Sequence, residues 1–220
     1  MTIVRKISYQ QIFLFDDTYL EKNFKNSLKE FIYYLRYTGV KGVIDFSFSS
    51  NSDTIHPKLS IKDNFILDSV PKSLIKNKED NFRIRLTELN NTVLAGMIEN
   101  LEPIERKIDE LSCEEIKLAS IIKSLLSHSE YLFLEYPDQY LSTKNLNLIK
   151  EALKFEVNTN NRKVFLKPFN NDAWIDLATD IITKNDKKEY VKSLNPLSSF
   201  ASHEENFKPT FNFTLHNKAS

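Results

Sequence analysis

Short apolar runs of strand length alternate with helical patterns along this chain, and that alternation constrains the fold more than any other feature. Four runs have the length and residue content of buried strands: 12–15, 43–48, 131–134 and 163–166. Parallel strands need long crossover connections, which are usually helices. The alternation therefore predicts an α/β fold in which a mostly parallel sheet carries helices on both faces.

Helical periodicity fills the intervals between these runs. Over residues 20–37 apolar side chains recur every three or four residues, which is typical of a helix with one buried face. Near the C-terminus, residues 181–183 and 189–192 predict a hairpin that turns at Asn185 and Asp186. The predicted helices cover 20–37 with an end near Gly39, a stretch over 60–110 broken at Pro71 and Pro103, a helix after Cys113, 143–155 and 172–178.

The long helical stretch suggests how the chain is divided. We predict a core α/β domain of residues 1–61 and 129–194 and an inserted α-helical subdomain of residues 62–128. Residues 195–220 form a C-terminal tail rich in serine, asparagine and phenylalanine. Two interpretations of the tail stay open: a disordered segment, or an extended arm whose phenylalanines dock on a neighbour.

Composition narrows the function classes. The 30 basic and 30 acidic side chains balance, which disfavours nucleic acid as a partner. A single cysteine, Cys113, allows no internal disulfide and fits a reducing compartment. No apolar run approaches the roughly 20 residues of a membrane span, and residues 1–6 lack a secretory signal, so we expect a cytoplasmic protein. Four histidines lie without metal-ligand spacing and predict no metal site: His56, His128, His203 and His216.

Two segments carry a family resemblance. Residues 111–115 read Leu-Ser-Cys-Glu-Glu before an apolar helix, and residues 131–138 read Tyr-Leu-Phe-Leu-Glu-Tyr-Pro-Asp. This order resembles the LSGGE or LSGGQ signature loop and the Walker B strand of ABC transporter ATP-binding domains. The resemblance extends to about Leu194 and implies a P-loop NTPase-like sheet with an inserted helical subdomain of ABC ATPase type.

The phosphate-binding loop is the first position at which the chain departs from that family. ABC ATPases hold phosphates in a G-x4-G-K-[ST] loop, whose glycines let the backbone approach the anion. The corresponding residues here are Asp16, Glu21, Lys22 and Asn23, so only the lysine is retained. Lys22 is either a remnant of the nucleotide site or an ordinary surface lysine at a helix start. The whole chain contains only three glycines.

The signature loop and the Walker B strand have changed in the same way. By the resemblance, Ser112 and Glu135 are remnants of the nucleotide and magnesium positions, as is Lys22 of the phosphate loop. Cys113 and Glu114 replace the signature glycines, and Glu114 would place a carboxylate where the γ-phosphate of the opposite subunit arrives. Tyr136 replaces the catalytic glutamate, and a phenol with a pKa of about 10 cannot act as general base at neutral pH.

Three further positions follow the family order. Phe169 takes the place of the switch histidine, and Ser142 ends a loop that lacks the family's aspartate. Asn51 or a neighbour takes the place of the Q-loop glutamine. Ser60 with Asp63 also forms a near capping box, so a helix start there fits both the resemblance and the local pattern.

These departures lead to a functional hypothesis with two alternatives. We expect a catalytically inactive ABC-ATPase-like subunit that works without a cofactor. It would act through protein contacts, pairing with an active ATPase subunit or docking on a membrane permease. That places it in the cytoplasm, at the membrane only through its partner. The alternatives are a soluble scaffold or regulatory protein without a transporter, and a weak nucleotide sensor or residual ATPase that binds ATP and magnesium.

Overall fold

The computed structural model describes residues 11–16, 27–50, 54–69, 91–127 and 129–199, together with the isolated residues Phe82, Ile84 and Thr87. The predictions for residues 20–26, for Pro71 and for the phenylalanines of the tail concern residues outside these ranges. Among the described residues, no helix is long and apolar enough to cross a membrane.

One six-stranded sheet organises the chain. Its spatial order is β2-β3-β4-β1-β5-β6, and every neighbouring pair is parallel except β5 and β6. The predicted mostly parallel sheet and the closing hairpin are therefore confirmed. The strands are β1 (Ile12–Phe15), β2 (Phe46–Ser49), β3 (Tyr131–Glu135), β4 (Lys163–Lys167), β5 (Asp180–Lys184) and β6 (Tyr190–Leu194).

Helices connect the strands and cover both faces of the sheet. Two short 3-10 helices, Ile108–Glu110 and Asn171–Ala173, lie in the connections. Asn91 caps one α-helix by accepting a hydrogen bond from the backbone N–H of Leu94. The α-helices of the described residues are α1 (Ser27–Tyr37), α2 (Ile61–Ser69), α3 (Thr92–Glu99), α4 (Cys113–Leu126) and α5 (Thr143–Asn160).

The central strands are apolar on both faces, as strands covered on both sides must be. Odd-numbered aromatic side chains face α1, where Phe13 stacks on Phe165 at 4.5 Å and Phe31 of α1 stacks on Phe133 at 4.8 Å. The even-numbered side chains of β1, β3 and β4 belong to a second cluster with α2 to α5. Both clusters hold the strand ends, and with them the loops that follow, in fixed positions.

Strand β2 begins later than predicted. The run 43–48 predicted a strand, but the strand covers Phe46–Ser49 and Val43 is 97% exposed. Arg36 of α1 donates hydrogen bonds to the carbonyls of Val40 and Gly42, and Gly42 has a φ of +77°. These contacts bend the chain away from the sheet at Val43, because a left-handed backbone cannot continue a strand.

The predicted helix over 172–178 was wrong in type. A 3-10 helix at Asn171–Ala173 is followed by turns. The amide of Asn195 donates hydrogen bonds to the carbonyls of Ile175 and Ala178, and the backbone N–H of Thr179 bonds to Ile12 O in β1. Because these hydrogen bonds fix the backbone immediately before β5, the chain does not form another helical turn there.

The structure also differs from the prediction at the ends of two segments. Helix α5 runs to Asn160 instead of 155 and ends at Asn161, whose φ is +53°. The first tail residues pack on the chain itself, since Asn195 is buried and the backbone N–H of Ser199 bonds to Asp176 O. The division into domains at residues 61 and 128 stays a prediction.

Candidate functional site at the carboxyl edge of the sheet

The C-terminal ends of parallel strands meet at one edge, which in open α/β sheets is where ligands bind. Here that edge consists of the residues that follow β1, β3 and β4 and the first turns of α4 and α5. We call it the carboxyl edge. Its described members are Asp16, 112–117, 135–145 and 167–172. The predicted site residues Ser112 and Glu135 both lie on it.

The start of α4, the predicted signature loop, is capped by its own residues. Ser112 Oγ accepts a hydrogen bond from the backbone N–H of Glu115, and Glu115 Oε2 accepts from the backbone N–H of Ser112. This is a capping box, and its Ser-x-x-Glu spacing was visible in the sequence. Arg106 also donates to Glu115 Oε1 at 2.8 Å. The hydrogen bond from Ser112 N–H, then the bond from Arg106, lowers the pKa of Glu115.

Glu114 has a role that the sequence did not predict. Its Oε1 accepts a hydrogen bond from the backbone N–H of Ser142 at 2.8 Å and another from the side-chain amide of Asn145 at 2.7 Å. Hydrogen bonds from the side chain and the backbone of Ser142, then from Asn145, lower the pKa of Glu114. The carboxylate therefore joins the start of α4 to the start of α5 within one chain.

Lys117 lies one turn further along α4 and turns inward toward β3. It is 2% exposed, and its Nζ donates a hydrogen bond of 2.8 Å to the carbonyl of Glu135. Burial lowers the pKa of Lys117 to about 8, although the negative charges of Glu135 and Asp138 oppose that shift. The ammonium group thus binds the backbone of Glu135, the residue whose side chain the resemblance assigns to magnesium.

A second buried lysine ends β4. Lys167 is 3% exposed, and its Nζ donates to Ser27 Oγ at 2.9 Å, at the start of the described part of α1. The same ammonium group lies 5.5 Å from the ring centre of Tyr136. Tyr136 has a φ of +48°, and its backbone N–H bonds to the carbonyl of Lys167 at 2.6 Å. The tyrosine at the catalytic-base position is therefore held by its backbone and faces a cation.

Asp138 ties together the loops that follow β3 and β4. Its Oδ1 accepts from the backbone N–H of Phe169 at 2.8 Å, and its Oδ2 accepts from the backbone N–H of Asn170 at 2.7 Å. On the other side of β4, Asn171 donates its side-chain amide to Asp16 Oδ1 at 2.7 Å, at the end of β1. Successive loops of the carboxyl edge are thus joined by carboxylate–amide hydrogen bonds.

Some predicted positions lie outside the described residues. These are Lys22, Glu21 and Asn23 of the phosphate loop and Asn51 of the Q-loop, so the structure says nothing of how they approach Ser112 or Glu135. Ser60 caps α2 as predicted, because Asp63 N–H donates to Ser60 Oγ at 3.0 Å. No group of three or more histidine, cysteine, aspartate or glutamate residues within the described ranges could hold a metal ion.

Chemically, the described carboxyl edge is a set of donors and acceptors that bind each other. Four groups that form it or bind to it were not singled out as partners by the sequence analysis: the side chains of Lys117, Lys167 and Asp138 on the edge, and that of Arg106, which binds Glu115. Nothing in the apolar pattern distinguishes Lys117 from an exposed helix lysine, since burial depends on which neighbours pack around it. Asp138 follows a strand by three residues, a position that favours loop hydrogen bonds.

Comparison with known proteins gives the class of fold. No family model matches the sequence, and no curated protein matches it. A transporter of the metal-chelate ABC type, in an inward-facing conformation, is 13% identical with a TM-score of 0.53, covering 84% of this chain and 72% of that one. The ATP-binding cassette MJ0796, a dimer bound to ADP and Pi, is 14% identical with a TM-score of 0.57, covering 84% and 85%.

A third match comes from a different setting. It is the complex of the archaeal ribosomal stalk protein aP1 with the ribosome recycling factor aABCE1, with 11% identity and a TM-score of 0.57. The match covers 83% of this chain and 34% of that one. The sheet and helices described above therefore have the fold of the ABC ATPase, a P-loop NTPase fold. At these identities the likeness establishes the fold alone.

Proposed function

We propose that this protein is a catalytically inactive ABC-ATPase-like subunit that acts by binding other proteins. The proposal rests on one observation above all: the polar groups of the signature position are bound within the chain. Ser112 and Glu115 cap each other, and Glu114 accepts from Ser142 and Asn145. A phosphate at this helix start would have to displace these contacts and approach two carboxylates.

Electrostatics supports the same proposal. Two unit charges of the same sign at about 4 Å repel by about 4 kcal/mol at the effective dielectric constant of a protein surface. Glu114 replaces an uncharged glycine of the family pattern, whereas Glu115 matches its acidic or amide position, and hydrogen bonds lower the pKa of both carboxyls. Both carboxyls are thus ionised at neutral pH, and that of Glu114 adds a negative charge that the family pattern lacks at this position.

Catalysis would also need a base for the attacking water, and Tyr136 occupies that position in the resemblance. Its ring faces the ammonium group of Lys167. An ABC ATPase fold whose reactive positions carry other residues is consistent with a role in assembly. The partners we propose are an active ATPase subunit or a membrane permease, because one structural neighbour is a transporter of the metal-chelate ABC type.

Nucleotide titration tests the inactivity. Full-length protein is titrated with a fluorescent ATP analogue with and without magnesium, and phosphate release is measured with unlabelled ATP. We expect neither micromolar binding nor release above the blank. The matched variant is Cys113→Gly/Glu114→Gly, which restores the signature glycines and removes the contact between α4 and α5. Micromolar binding by the unmodified protein that is lost in Lys22→Ala would overturn the proposal in favour of the nucleotide sensor.

Native affinity purification tests the partner. Recovery of a permease or a second ATPase subunit in a constant ratio to the tagged chain supports the transport-complex form of the proposal. Recovery of soluble proteins alone contradicts that form and leaves the scaffold alternative in its place.

A further inference from the structure

Strand β6 lies at the end of the sheet, and no strand of the described residues pairs with its outer side. The backbone N–H of Asn195 donates to Thr179 O at one end of β6, and Glu189 O accepts from Asn185 N–H at the other. These bonds show that the odd-numbered residues of this segment direct their backbone groups toward β5. Because the directions alternate along a strand, the even-numbered residues direct their N–H and C=O groups away from the sheet: Tyr190, Lys192 and Leu194.

This outer edge has few of the features that prevent strand addition. Prolines, bulges and outward-pointing charges typically protect an exposed edge. Strand β6 contains no proline, and its one charged residue, Lys192, is directed over the sheet, with Nζ 3.5 Å from Asp180 Oδ1 and 5.7 Å from the ring centre of Phe13. Val191 and Leu194 are 43% and 68% exposed. Such an edge, with free donors and exposed apolar side chains, is suited to an added strand.

An aromatic surface adjoins this edge on the face of the sheet that α1 covers. The ring centre of Tyr190 lies 5.4 Å from that of Tyr34 and 5.4 Å from that of Tyr37. Tyr37 and Tyr33 are both exposed and lie one turn apart on α1. A strand added beside β6 would place every second side chain on this same face, in line with Tyr190 and Leu194.

The C-terminal tail contains a segment with the pattern of such a strand. Residues 211–215 read Phe-Asn-Phe-Thr-Leu and carry no charge. Strict alternation of apolar and polar side chains is typical of a half-buried strand, and phenylalanine and threonine favour strands. The segment has the same length as β6, which covers five residues.

The chain after β6 is held where this tail can return to the edge. Ser199 N–H donates to Asp176 O, shortly before β5, so the chain stays at the end of the sheet where Leu194 lies. Residues 200–210 connect Ser199 to Phe211. Eleven residues span at most about 40 Å, more than the roughly 17 Å of a five-residue strand. The tail is therefore long enough to turn and run antiparallel to β6.

We propose that residues 211–215 add to the sheet as a strand on the outer edge of β6, antiparallel to it and within the same chain. The proposed register pairs three residues of β6 with three of the tail: Leu194 with Phe211, Lys192 with Phe213 and Tyr190 with Leu215. The outward N–H and C=O groups of β6 then gain partners, and the apolar tail side chains lie on the aromatic face. A short tether gives an effective concentration of about millimolar, which favours the same chain over a second copy. The inference goes beyond the proposed function and does not depend on it.

Amide hydrogen exchange of the full chain tests whether the edge is covered. We expect the backbone N–H groups of Lys192 and Leu194 to exchange at least tenfold more slowly in the unmodified protein than in Phe211→Ser/Phe213→Ser. Equal rates in the two proteins overturn the inference. This includes the case of slow exchange in both, which would mean that another segment, such as residues 1–10, covers the edge.

Two controls make the exchange result specific. Phe200→Ser/Phe207→Ser removes two phenylalanines from the same tail outside the proposed strand, and it leaves the exchange rates of β6 within twofold. The backbone N–H groups of Val191 and Ser193 face β5, so their rates stay within twofold in both variants. A similar acceleration at all four residues of β6 would mean that the hairpin itself has opened, and it would overturn the inference.

A disulfide tests the register. Ser193 directs its backbone toward β5, so it would form a non-hydrogen-bonded pair with Asn212, with Cα atoms about 4.5 Å apart, a distance that a disulfide accepts. With Cys113→Ser as the background, Ser193→Cys/Asn212→Cys is oxidised by oxidised glutathione and separated on non-reducing gels. We expect a cross-link within the monomer, formed at least fivefold faster than in the mispaired variant Ser193→Cys/Asn217→Cys.

The gel also identifies the occupant. A disulfide-linked dimer as the main product would show that the tail of a second copy covers β6, and it would overturn the inference. Equal cross-linking of the paired and mispaired variants would overturn the register and with it the added strand. Nucleotide binding by the unmodified chain would contradict the proposed function without changing any of these results.

Discussion

The carboxylate of Glu114 and the backbone N–H of Ser142 lie 2.8 Å apart, and this hydrogen bond joins the first turn of α4 to the first turn of α5. Two helices that are separated by β3 in the chain thus begin at a shared contact. Helix starts have N–H groups without partners, and a carboxylate is a favourable acceptor for them. Glu114, which by the resemblance replaces a signature glycine, therefore contributes to the contact between two helices of the fold.

Removing this acceptor should loosen α5 at its first turn. We expect Glu114→Ala to lower the free energy of unfolding by about 1 kcal/mol, a typical cost of losing a helix cap. Glu114→Gln keeps an acceptor oxygen and should cost less than half as much. Urea denaturation followed by circular dichroism measures both. Glu110→Ala, an exposed glutamate of the nearby 3-10 helix, is the control, and an equal loss there would contradict the prediction.

Asp138 should control the order of the loop after β4. Both of its oxygens accept backbone N–H groups, and an asparagine has only one acceptor oxygen. We expect Asp138→Asn to lower the free energy of unfolding by about 1 kcal/mol, the typical net contribution of one hydrogen bond, because one of the two exposed N–H groups loses its acceptor. Amide hydrogen exchange should become faster at Phe169 or Asn170.

The measurement for Asp138 separates a local effect from a general one. The rates of amide hydrogen exchange at Val164 and Leu166 in β4 should stay unchanged relative to those of the remaining core amides. If all amides exchanged faster by the same factor, Asp138 would contribute to global stability and not to loop order. Asp172→Asn, three residues beyond Phe169, is the control that changes the same charge on the exposed side.

The sheet could be predicted from the sequence because its signal is local. Strands β1 and β3 contain continuous apolar runs of four residues and β4 contains one of three, and the intervals between the strands are long enough for helices. The hairpin could be predicted for the same reason, since Asn185 and Asp186 favour a turn. Where a tertiary contact decided the outcome, local patterns were misleading: Arg36 ended one predicted strand early, and Asn195 prevented a predicted helix.

The site was predicted only as positions along the chain. Ser112 and Glu135 fall on the carboxyl edge, but the partners of that edge come from distant parts of the sequence. Asp138 binds a loop 31 residues away, and Glu114 reaches Ser142 over 28 residues. No spacing rule connects such pairs, because the sheet topology brings them together. The capping box of Ser112 and Glu115 is the exception, since its spacing is local.

Buried Lys117 should give the protein an increase in stability above pH 8. Burial lowers the pKa of Lys117 to about 8 in the folded protein, while an unfolded chain keeps the ordinary value of 10.5. Between these two pH values the unfolded state binds more protons, so the free energy of unfolding rises with pH. Below pH 8 both states are protonated, and this contribution is constant.

The test compares the protein with Lys117→Met, which has a similar length and no titration. We expect the free energy of unfolding of the unmodified protein, minus that of the variant, to rise by about 1 kcal/mol per pH unit from pH 8 to pH 10. Burial raises the pKa of Tyr34 to about 12, which acts against stability only above the ordinary tyrosine value and affects both proteins alike. A difference that stays flat over this range would show that Lys117 remains charged in the fold.

The pair of Glu156 and Arg162 should be the ionic contact with the greatest effect on stability. Their side chains are 0% and 7% exposed, and Arg162 Nη1 lies 3.1 Å from Glu156 Oε2. Glu156 Oε1 also accepts from the amide of Asn91, the cap of α3, so the pair links α3 and α5. Arg162 donates further bonds to the carbonyls of Leu125 and Ser129.

Breaking the pair leaves a buried charge without its partner, which typically costs about 3 to 5 kcal/mol. We expect Glu156→Gln and Arg162→Met each to lower the free energy of unfolding, measured by urea denaturation, by an amount in that range, while the double variant costs less than the sum of the two. The control is Glu151→Gln, because its pair with Lys154 is largely exposed and typically contributes about 0 to 1 kcal/mol. Strict additivity in the double variant would mean that the two side chains stabilise the fold through separate contacts, which would contradict the prediction.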